Sequence, residues 1–447
     1  MSEAPEESVS SRAPAPRWWW AAIGALMAGG LAVRVGFVLI RQKNLDLVTG
    51  DAFWYHFQAK LVADGRGFLN PFDFFKNGIE SPGGDHPPGF TLILASLDAI
   101  GIDGPQGQRL VMTLVGTASI AVIGLLARRL AGWSAGLIAA AIAAFYPNIW
   151  VNDGLLQVET VFILAIACSL LLSHRIIEQP SRSDVLWLSF ALMVCAMTRP
   201  ESILLYVLLL TPLVLTRTEW PMKQRIGMTA LAATIPILAF APWVAYNTTR
   251  YEELVLVSTG SGQTLAVGNC DLTYDGANLG YWDLNCIVAP QIDPPTESDP
   301  SVRDGLYREI AVDYITDHLG DLPKVVAARV ARIWHLYKPG EQTRIDSFVE
   351  GRGGDVTAET ALAMYYVLAP LAIVGLIIQR RRRMAIYPEL VIVALVCFTA
   401  ATTFGVTRYR AGAEVVIAVG AATAIDAAIG EARLRFGRRR SSVAPPP

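Results

Sequence analysis

The sequence predicts an all-α polytopic membrane protein with about ten transmembrane helices and two large extracytoplasmic loops. Hydrophobic residues make up 53% of the 447 residues and charged residues only 17%, which is more apolar surface than a water-soluble domain can cover. Apolar stretches of about 17 to 25 residues recur along the chain, and this is the length of helix that crosses a hydrocarbon core. The composition therefore argues against a water-soluble enzyme.

Ten apolar segments are predicted to span the membrane: residues 18–40, 108–127, 133–150, 154–174, 185–198, 202–216, 226–246, 361–379, 387–405 and 411–430. No small-residue cleavage pattern follows the first segment, so we expect it to remain as a span rather than to be removed as a signal peptide. Arg199-Pro200-Glu201 separates the fifth segment from the sixth, and a proline with two charges predicts a tight re-entry between two helices.

The positions of the arginines and lysines predict the orientation, because short loops rich in these residues stay cytoplasmic. With ten spans, all five basic clusters fall on one side, together with both termini. We therefore expect a multi-pass protein of the plasma (inner) membrane, with a disordered cytoplasmic tail at residues 1–17 and a basic one at 431–447. The predicted transmembrane core is 18–246, followed by C-terminal transmembrane helices at 361–430.

Two long segments, residues 41–107 and 247–360, are then predicted to lie outside. In the first, Trp54, Phe57 and Leu61 recur at helical spacing opposite polar residues, which predicts a helix on the membrane surface. The second segment is predicted to begin with a strand-like stretch at 254–257 and to continue with amphipathic helices near 302–318 and 323–337. Its two cysteines, Cys270 and Cys286, are a candidate disulfide in an oxidising compartment, the alternative being two free thiols.

Charge and cysteine spacing exclude other classes of protein. The chain has 37 basic and 39 acidic residues and no basic stripe interleaved with aromatic residues, so nucleic acid is not an expected partner. The sequence also has no Cys/His set with the spacing of zinc ligands, and neither a metal nor another cofactor is predicted.

Acidic side chains near the outer ends of spans are the candidate catalytic groups. Asp51 precedes the predicted surface helix, where it is either the N-cap of that helix or a carboxylate whose partial burial suits a general base. Glu159 is predicted about one turn into the fourth span, where a charge requires a protein or water-filled surrounding. Asp153 is better explained as the N-cap of the same span.

Basic side chains near the same membrane face are candidate phosphate contacts. His86 lies in a stiff segment rich in proline and glycine, and it is either an ordinary turn residue or a donor to phosphate. Arg34, Arg199, Arg408 and Arg410 either extend to lipid headgroups or together form a clamp for a lipid-linked phosphate or pyrophosphate.

Several short motifs occur in an order that resembles a known family. They are the first span with Arg34, Gly50-Asp51 followed by Tyr55 and Ala59, His86-Pro87-Pro88, Pro147 before Glu159, Thr198-Arg199-Pro200-Glu201, Pro242-Trp243 with Asn247, and Arg408-Tyr409-Arg410. Over most of residues 20–425 this order is similar to that of the GT-C glycosyltransferases, in the branch of the dolichyl-phosphate-mannose protein mannosyltransferases and the bacterial aminoarabinose transferases.

The resemblance implies a glycosyltransferase that moves a sugar from a polyprenyl-phosphate donor to an extracytoplasmic glycan, lipid or protein acceptor, with membrane lipids around it. By motif position, Asp51 would be the general base and Glu159 the second acid. His86, Arg199 and Arg408 would contact the donor phosphate, and Arg34, Tyr55 and Arg410 are further expected substrate contacts. The chain departs from the family pattern in two places: Ala52 follows Asp51 where a second acid is common, and His86 stands where many relatives have lysine.

Three other functions are compatible with the sequence. A secondary transporter would also have about ten spans, but it would show internal repeats and interrupted helices near the bilayer midplane. No convincing repeat is evident, and the acidic residues are predicted to cluster at one membrane face. A transferase of lipid-linked oligosaccharides, such as a polymerase or ligase, is the nearest enzymatic alternative. A membrane scaffold without catalytic activity is the third.

Overall fold

The computed structural model describes residues 15–43, 47, 50–288 and 299–441, with side chains as far as residue 435. The predicted N-terminal tail lies almost wholly outside the described residues, as do the last six residues of the predicted C-terminal tail. The first part of that C-terminal tail is helical, because the last helix continues past residue 430 and ends at Ser441.

The described ranges are helical, and their one β-bridge pairs Leu69 with Pro82. The α-helices are α1 (Arg17–Arg41), α2 (Gly50–Ala63), α3 (Pro88–Asp98), α4 (Pro105–Ala131), α5 (Trp133–Phe145), α6 (Pro147–Trp150), α7 (Glu159–Glu178), α8 (Arg182–Thr198), α9 (Thr211–Leu215), α10 (Met222–Asn247), α11 (Ser261–Ala266), α12 (Asp271–Tyr274), α13 (Asn285–Val288), α14 (Pro300–Asp317), α15 (Leu322–Ile333), α16 (Pro339–Phe348), α17 (Asp355–Arg381), α18 (Tyr387–Thr402) and α19 (Ala411–Ser441). The all-α class predicted from the sequence is confirmed.

A helix occupies each of the ten segments predicted to span the membrane, but the count of ten is not confirmed. By length and hydropathy, six helices in the described part of the chain can cross a bilayer, or seven if the bent pair at 133–154 is one span. The shorter apolar helices include 200–215 and α18. The protein is therefore a multi-pass membrane protein, and several of its helices are too short to cross the bilayer by themselves.

A sharp bend at Pro147 separates two of the predicted spans. Helix α5 ends at Phe145, and the next helical segment leaves at an angle of 62° because a proline cannot continue the hydrogen-bonded ladder. A 3-10 turn at 151–154 follows, and α7 begins only at Glu159. Glu159 is therefore the first residue of its helix rather than one turn inside it, so the predicted boundary at residue 154 is wrong.

The core of the bundle is formed by apolar side chains of α1, α4, α5, α7, α8, α10, α17, α18 and α19. Helices α17 and α19 approach each other most closely where Gly375 faces Gly420. A Cβ atom at Gly375 would lie only 1.9 Å from the carbonyl oxygen of Gly420, so this crossing requires glycine.

The two segments predicted to be extracytoplasmic, residues 41–107 and 247–360, are called the external segments below. In their described parts they form short helices that pack against each other. Helices α14 and α15 confirm the two predicted helices, but only α15 is amphipathic, because the buried side of α14 includes the polar residues Ser301 and Asp304. Cys270 and Cys286 form the predicted disulfide with their Cα atoms 5.7 Å apart. The strand predicted at 254–257 is wrong, because this stretch is irregular.

Helix α2 is present, but one residue of its predicted polar face is buried. His56 is only 2% exposed and bonds to Gln108 of α4, whereas Asp64 is exposed as predicted.

Candidate active site

Helix α2 places Asp51 beside basic side chains from two distant parts of the chain. The Oδ2 atom of Asp51 accepts a hydrogen bond from Nη1 of Arg408 at 2.5 Å, and Oδ1 lies 3.7 Å from Nε2 of His86. The Asp51 side chain keeps 27% of its surface exposed. Arg408 and His86, rather than the amides of the first helical turn, engage this carboxylate, so the helix-cap interpretation of Asp51 is not supported.

Arg408 lies between two carboxylates. Its Nη1 atom bonds to Asp51, and its Nε atom is 3.3 Å from Oε2 of Glu350, whose side chain is only 6% exposed. Sequence reasoning missed Glu350, which lies nearly three hundred positions after Asp51 between α16 and α17. The available signal was an acid directly before Gly351-Arg352-Gly353-Gly354, a glycine-rich segment suited to presenting a side chain.

A second arginine–carboxylate pair lies directly beside the first. Nη2 of Arg199 bonds to Oε1 of Glu159 at 2.5 Å and is 3.4 Å from the backbone oxygen of Arg408, which links the two pairs. Arg199 follows the last residue of α8 in an extended conformation, and its guanidinium lies over the rings of Phe162 and Tyr409. Among the described residues, Oε2 of Glu159 has no hydrogen-bond partner although it is buried.

These charges set the ionisation of the site. Burial alone would raise the pKa of Asp51, but Arg408 and then His86 outweigh it and lower that pKa to about 2. At Glu350 burial is the stronger effect, and it raises the pKa of this carboxyl although the positive charge of Arg408 acts to lower it. Asp51 is thus ionised when Arg408 is in place, and Glu350 takes up a proton more readily than an ordinary glutamate.

His86 is held by aromatic rings and by a contact between the two external segments. Its ring centroid lies 4.9 Å from that of Tyr55 and 5.6 Å from that of Trp54. The preceding residues are fixed by Thr259, whose backbone amide donates to Gly84 and whose hydroxyl donates to Asp85. Tyr55 is therefore a support for the His86 ring, and the two external segments together build this side of the site.

Arg34 is not brought into this cluster. It is fully buried, and its Nε atom bonds to Oδ2 of Asp153 at 2.7 Å. Its other nitrogens donate to the backbone oxygens of Gly30, Ala143 and Ala144. Asp153 also accepts a hydrogen bond from the Thr160 hydroxyl, and α7 begins only at Glu159, so the N-cap interpretation of Asp153 is wrong. The ion pair of Arg34 with Asp153 instead connects α1 to the break after α5.

Arg410 is also directed away from Asp51. Its Nε atom bonds to Glu414 at 2.7 Å, and Nη1 donates to the backbone oxygen of Ile333 and lies 3.0 Å from Nδ1 of His335. Arg34, Arg199 and Arg410 are buried rather than extended toward lipid headgroups, so the headgroup interpretation is not supported for these three. Of the eight predicted site residues, six lie together: Asp51, Tyr55, His86, Glu159, Arg199 and Arg408.

An apolar groove lies next to the cluster. It is lined by residues of α3, α8 and α10 and of the first external segment, among them Phe68, Pro88, Met197 and Trp243. Pro88 is two residues after His86, and Met197 is two residues before Arg199. The groove is therefore lined by the two chain segments that also carry His86 and Arg199.

The chemistry of the cluster suits an anionic ligand beside a carboxylate base. In the described ranges no group of three or more His, Cys, Asp or Glu side chains is placed to hold a metal ion. The acids are instead paired with guanidinium groups, which bind phosphate as well as carboxylate.

Comparison with protein families relates part of the chain to sugar transferases. Residues 85–246 match the family of the dolichyl-phosphate-mannose-protein mannosyltransferases. Comparison with curated proteins found no match.

Comparison with solved structures gives the fold. Oligosaccharyltransferase AglB from Archaeoglobus fulgidus, in complex with an inhibitory peptide and a dolichol-phosphate, matches 96% of this chain with a TM-score of 0.52 and 12% identity. A structure of the same organism's oligosaccharyltransferase tethered to an acceptor peptide matches 94% of the chain with a TM-score of 0.54 and 12% identity. The two matches cover 52% and 50% of those chains, so this chain spans about half their length.

A weaker match is ArnT from Cupriavidus metallidurans bound to undecaprenyl phosphate, with a TM-score of 0.45 and 15% identity over 92% of this chain and 78% of that one. The chain has the fold of the two oligosaccharyltransferase structures, and residues 85–246 match the mannosyltransferase family that the sequence resembles.

Proposed function

We propose that this protein transfers a sugar from a polyprenyl-phosphate donor to an acceptor on the extracytoplasmic face of the membrane. One observation carries the proposal: a partly exposed carboxylate, Asp51, lies against Arg408 at the point where Arg199 and His86 converge. A base next to phosphate-binding groups is the arrangement that sugar transfer from a phosphate donor requires. The match to mannosyltransferases of dolichyl-phosphate-mannose and the fold shared with the oligosaccharyltransferases support it.

In the proposed reaction Asp51 is the general base. The acceptor hydroxyl oxygen attacks C1 of the sugar, and the bond from C1 to the phosphate oxygen breaks. The electron pair of that bond leaves with the polyprenyl phosphate, and the hydroxyl proton passes to the Asp51 carboxylate. Glu159 serves as the second acid by holding Arg199, to which it bonds at 2.5 Å.

Release of Arg408 from Asp51 is the step that makes this base effective. A carboxylate with a pKa of about 2 is a weak base at neutral pH. A donor phosphate in the site would compete with Asp51 for Arg408, because guanidinium binds both kinds of anion. Once Arg408 moves to the phosphate, burial remains and raises the basicity of Asp51. Donor binding would therefore activate the base.

The apolar groove is the proposed route of the lipid part of the donor. A polyprenyl chain between Pro88 and Met197 would deliver its phosphate to His86 and Arg199. The acceptor would arrive from water on the opposite side, where the external segments stand above the bundle. This geometry requires those segments to be extracytoplasmic and both termini cytoplasmic, in a plasma (inner) membrane.

A transferase of lipid-linked oligosaccharides is the second candidate. Its support is that two structural matches with TM-scores above 0.5 are oligosaccharyltransferases, one in complex with a dolichol-phosphate and one tethered to an acceptor peptide. Mass spectrometry of the lipids that co-purify with the protein separates the two candidates. A polyprenyl phosphate carrying one sugar supports the first, and one carrying an oligosaccharide supports the second.

Asp51→Asn tests the assignment of the base. The protein is reconstituted in liposomes with the co-purified class of donor, and release of free polyprenyl phosphate is measured. We expect Asp51→Asn to fold and to lower turnover by about 10²- to 10⁴-fold, the range for a lost general base. Asp64→Asn is the matched control, because Asp64 is an exposed acid at the far end of the same segment and should leave turnover unchanged. Turnover above about a tenth of wild type in Asp51→Asn would transfer the role to Glu159.

A further inference from the structure

Arg408 offers two different edges of its guanidinium group to two carboxylates. The Nη1 atom faces Asp51 at 2.5 Å, whereas the Nε atom faces Glu350 at 3.3 Å. The two acids come from opposite ends of the chain, Asp51 from α2 and Glu350 from the segment before α17. A phosphate that displaces Asp51 from Nη1 would leave the contact to Glu350 in place.

The segment that carries Glu350 is itself anchored. Arg352, two residues further on, is 5% exposed and extends to the side-chain oxygens of Asn148 and Asn152, each at 3.4 Å. Gly353 has a φ of +83°, and a Cβ atom there would lie 2.8 Å from the ring of Phe37. The left-handed conformation and this close approach both require glycine, so the backbone beside Glu350 is fixed against α1 and the break after α5.

We propose that Glu350 is a positioning residue for the transfer reaction: it holds the Nε edge of Arg408 so that the Nη edge exchanges between Asp51 and the donor phosphate. This inference rests on the proposed function. Glu350 touches neither the reacting atoms nor the donor, and it acts through Arg408. Without Glu350, Arg408 would have a single strong partner in Asp51, and the phosphate would have to compete for an arginine that nothing holds in place.

A double-mutant cycle on purified full-length protein tests this role. Binding of a polyprenyl monophosphate is measured by titration in detergent, and transfer is measured in liposomes. We expect Glu350→Gln to weaken binding of the probe about tenfold, as for the loss of one charge-assisted contact. Arg408→Lys keeps the charge but cannot contact two carboxylates with two edges. In that background Glu350→Gln should weaken binding less than about twofold, because the two residues act as one unit.

Two further variants serve as controls for the effect of Glu350→Gln. Glu341→Gln is the matched control: Glu341 pairs with Arg332 at 2.8 Å in the same external region, and its loss should not alter binding of the probe. Glu350→Asp keeps the charge on a shorter side chain and should recover part of the affinity that Glu350→Gln loses. Size-exclusion profiles and thermal unfolding establish that each variant is folded.

The outcomes separate this inference from the proposed function. Wild-type protein that neither binds the probe nor transfers sugar overturns the proposed function, and the role of Glu350 with it. Wild-type protein that does both, while Glu350→Gln weakens binding equally in the two backgrounds, overturns only the role of Glu350. The role of Glu350 is also overturned if Glu350→Gln binds the probe as tightly as wild type does. It is likewise overturned if Glu350→Asp recovers none of the affinity that Glu350→Gln loses.

Discussion

Arg408 and Arg410 are two residues apart in one 3-10 turn, yet they belong to different kinds of site. Arg408 keeps 18% of its side chain exposed and lies between Asp51, which is 27% exposed, and Glu350. Arg410 is fully buried against Glu414, which is 2% exposed, and its guanidinium lies 3.9 Å from the ring centroid of Tyr365. The same residue type with the same kind of partner is open to a ligand in one case and closed in the other.

For Arg408 and Arg410, exposure to water, rather than the presence of an ion pair, distinguishes the arginine that a ligand can reach from the arginine in a structural contact. A closed pair has lost its water, so removing one partner leaves an uncompensated buried charge. An open pair retains part of its solvation and can exchange partners at lower cost. Arg34 with Asp153 is of the closed kind, since the two side chains are 0% and 2% exposed. Four predictions test the distinction.

The largest expected effect is on stability, at the closed pair. Arg410→Met should lower the free energy of unfolding by about 3–5 kcal/mol, because Glu414 would remain buried without its partner. Denaturation in detergent micelles measures this. The double variant Arg410→Met with Glu414→Leu removes both charges and should regain most of the loss. If the double variant is no more stable than Arg410→Met, the unpaired charge of Glu414 is not the cause of the lost unfolding free energy.

At the open pair the expected effect is on rate. Arg408→Met should lower kcat/KM for transfer by about 10²- to 10³-fold, the range for loss of a group that stabilises charge in the transition state. Its unfolding free energy should change less than that of Arg410→Met, because Asp51 retains exposure to water and Glu350, whose pKa burial raises, can take up a proton once Arg408 is gone. An Arg408→Met protein that is active but unstable would reverse the assignment of the two arginines.

The third prediction concerns pH. The pKa of Asp51 is about 2 in the folded protein against 3.8 for the free side chain, so the ionised carboxylate stabilises the fold above about pH 4. That contribution is at most about 2 kcal/mol and decreases as the pH falls from about 4 toward 2. The difference in unfolding free energy between wild type and Asp51→Asn, followed from pH 7 down to about pH 3, should shrink only below about pH 4. A difference that grows on acidification would contradict the ion pair with Arg408.

The smallest effect is expected at a pair in which both side chains are about one third exposed. Arg129 and Glu178 are 32% and 31% exposed and make two hydrogen bonds at the other end of the bundle. Glu178→Gln should change the free energy of unfolding by less than about 1 kcal/mol and leave transfer unaltered, because water and salt screen an exposed pair. A loss as large as that in Arg410→Met would mean that exposure does not separate these pairs.

Much of the candidate site was accessible to sequence reasoning because its residues stand at the ends of apolar segments. Asp51, Glu159, Arg199 and Arg408 were identified in this way, and the structure brings all four together. Glu350 was not identified, because it lies in an external segment without a strong pattern and reaches Arg408 only through the packing of that segment on α1.

The lengths of the apolar segments and the positions of the charges by themselves determined the class of the protein, the all-α fold and the order of its helices. Each apolar segment has to be shielded from water, and this requirement is local to the segment. The pairing of Cys270 with Cys286 was accessible for a similar reason, since both lie in one external segment. Tertiary structure alone decided that His56 on the polar side of α2 is buried and that Arg34 and Arg410 are closed while Arg408 is open. The direction of a side chain and its exposure to water depend on which helices pack around it, and that packing is a property of the whole bundle.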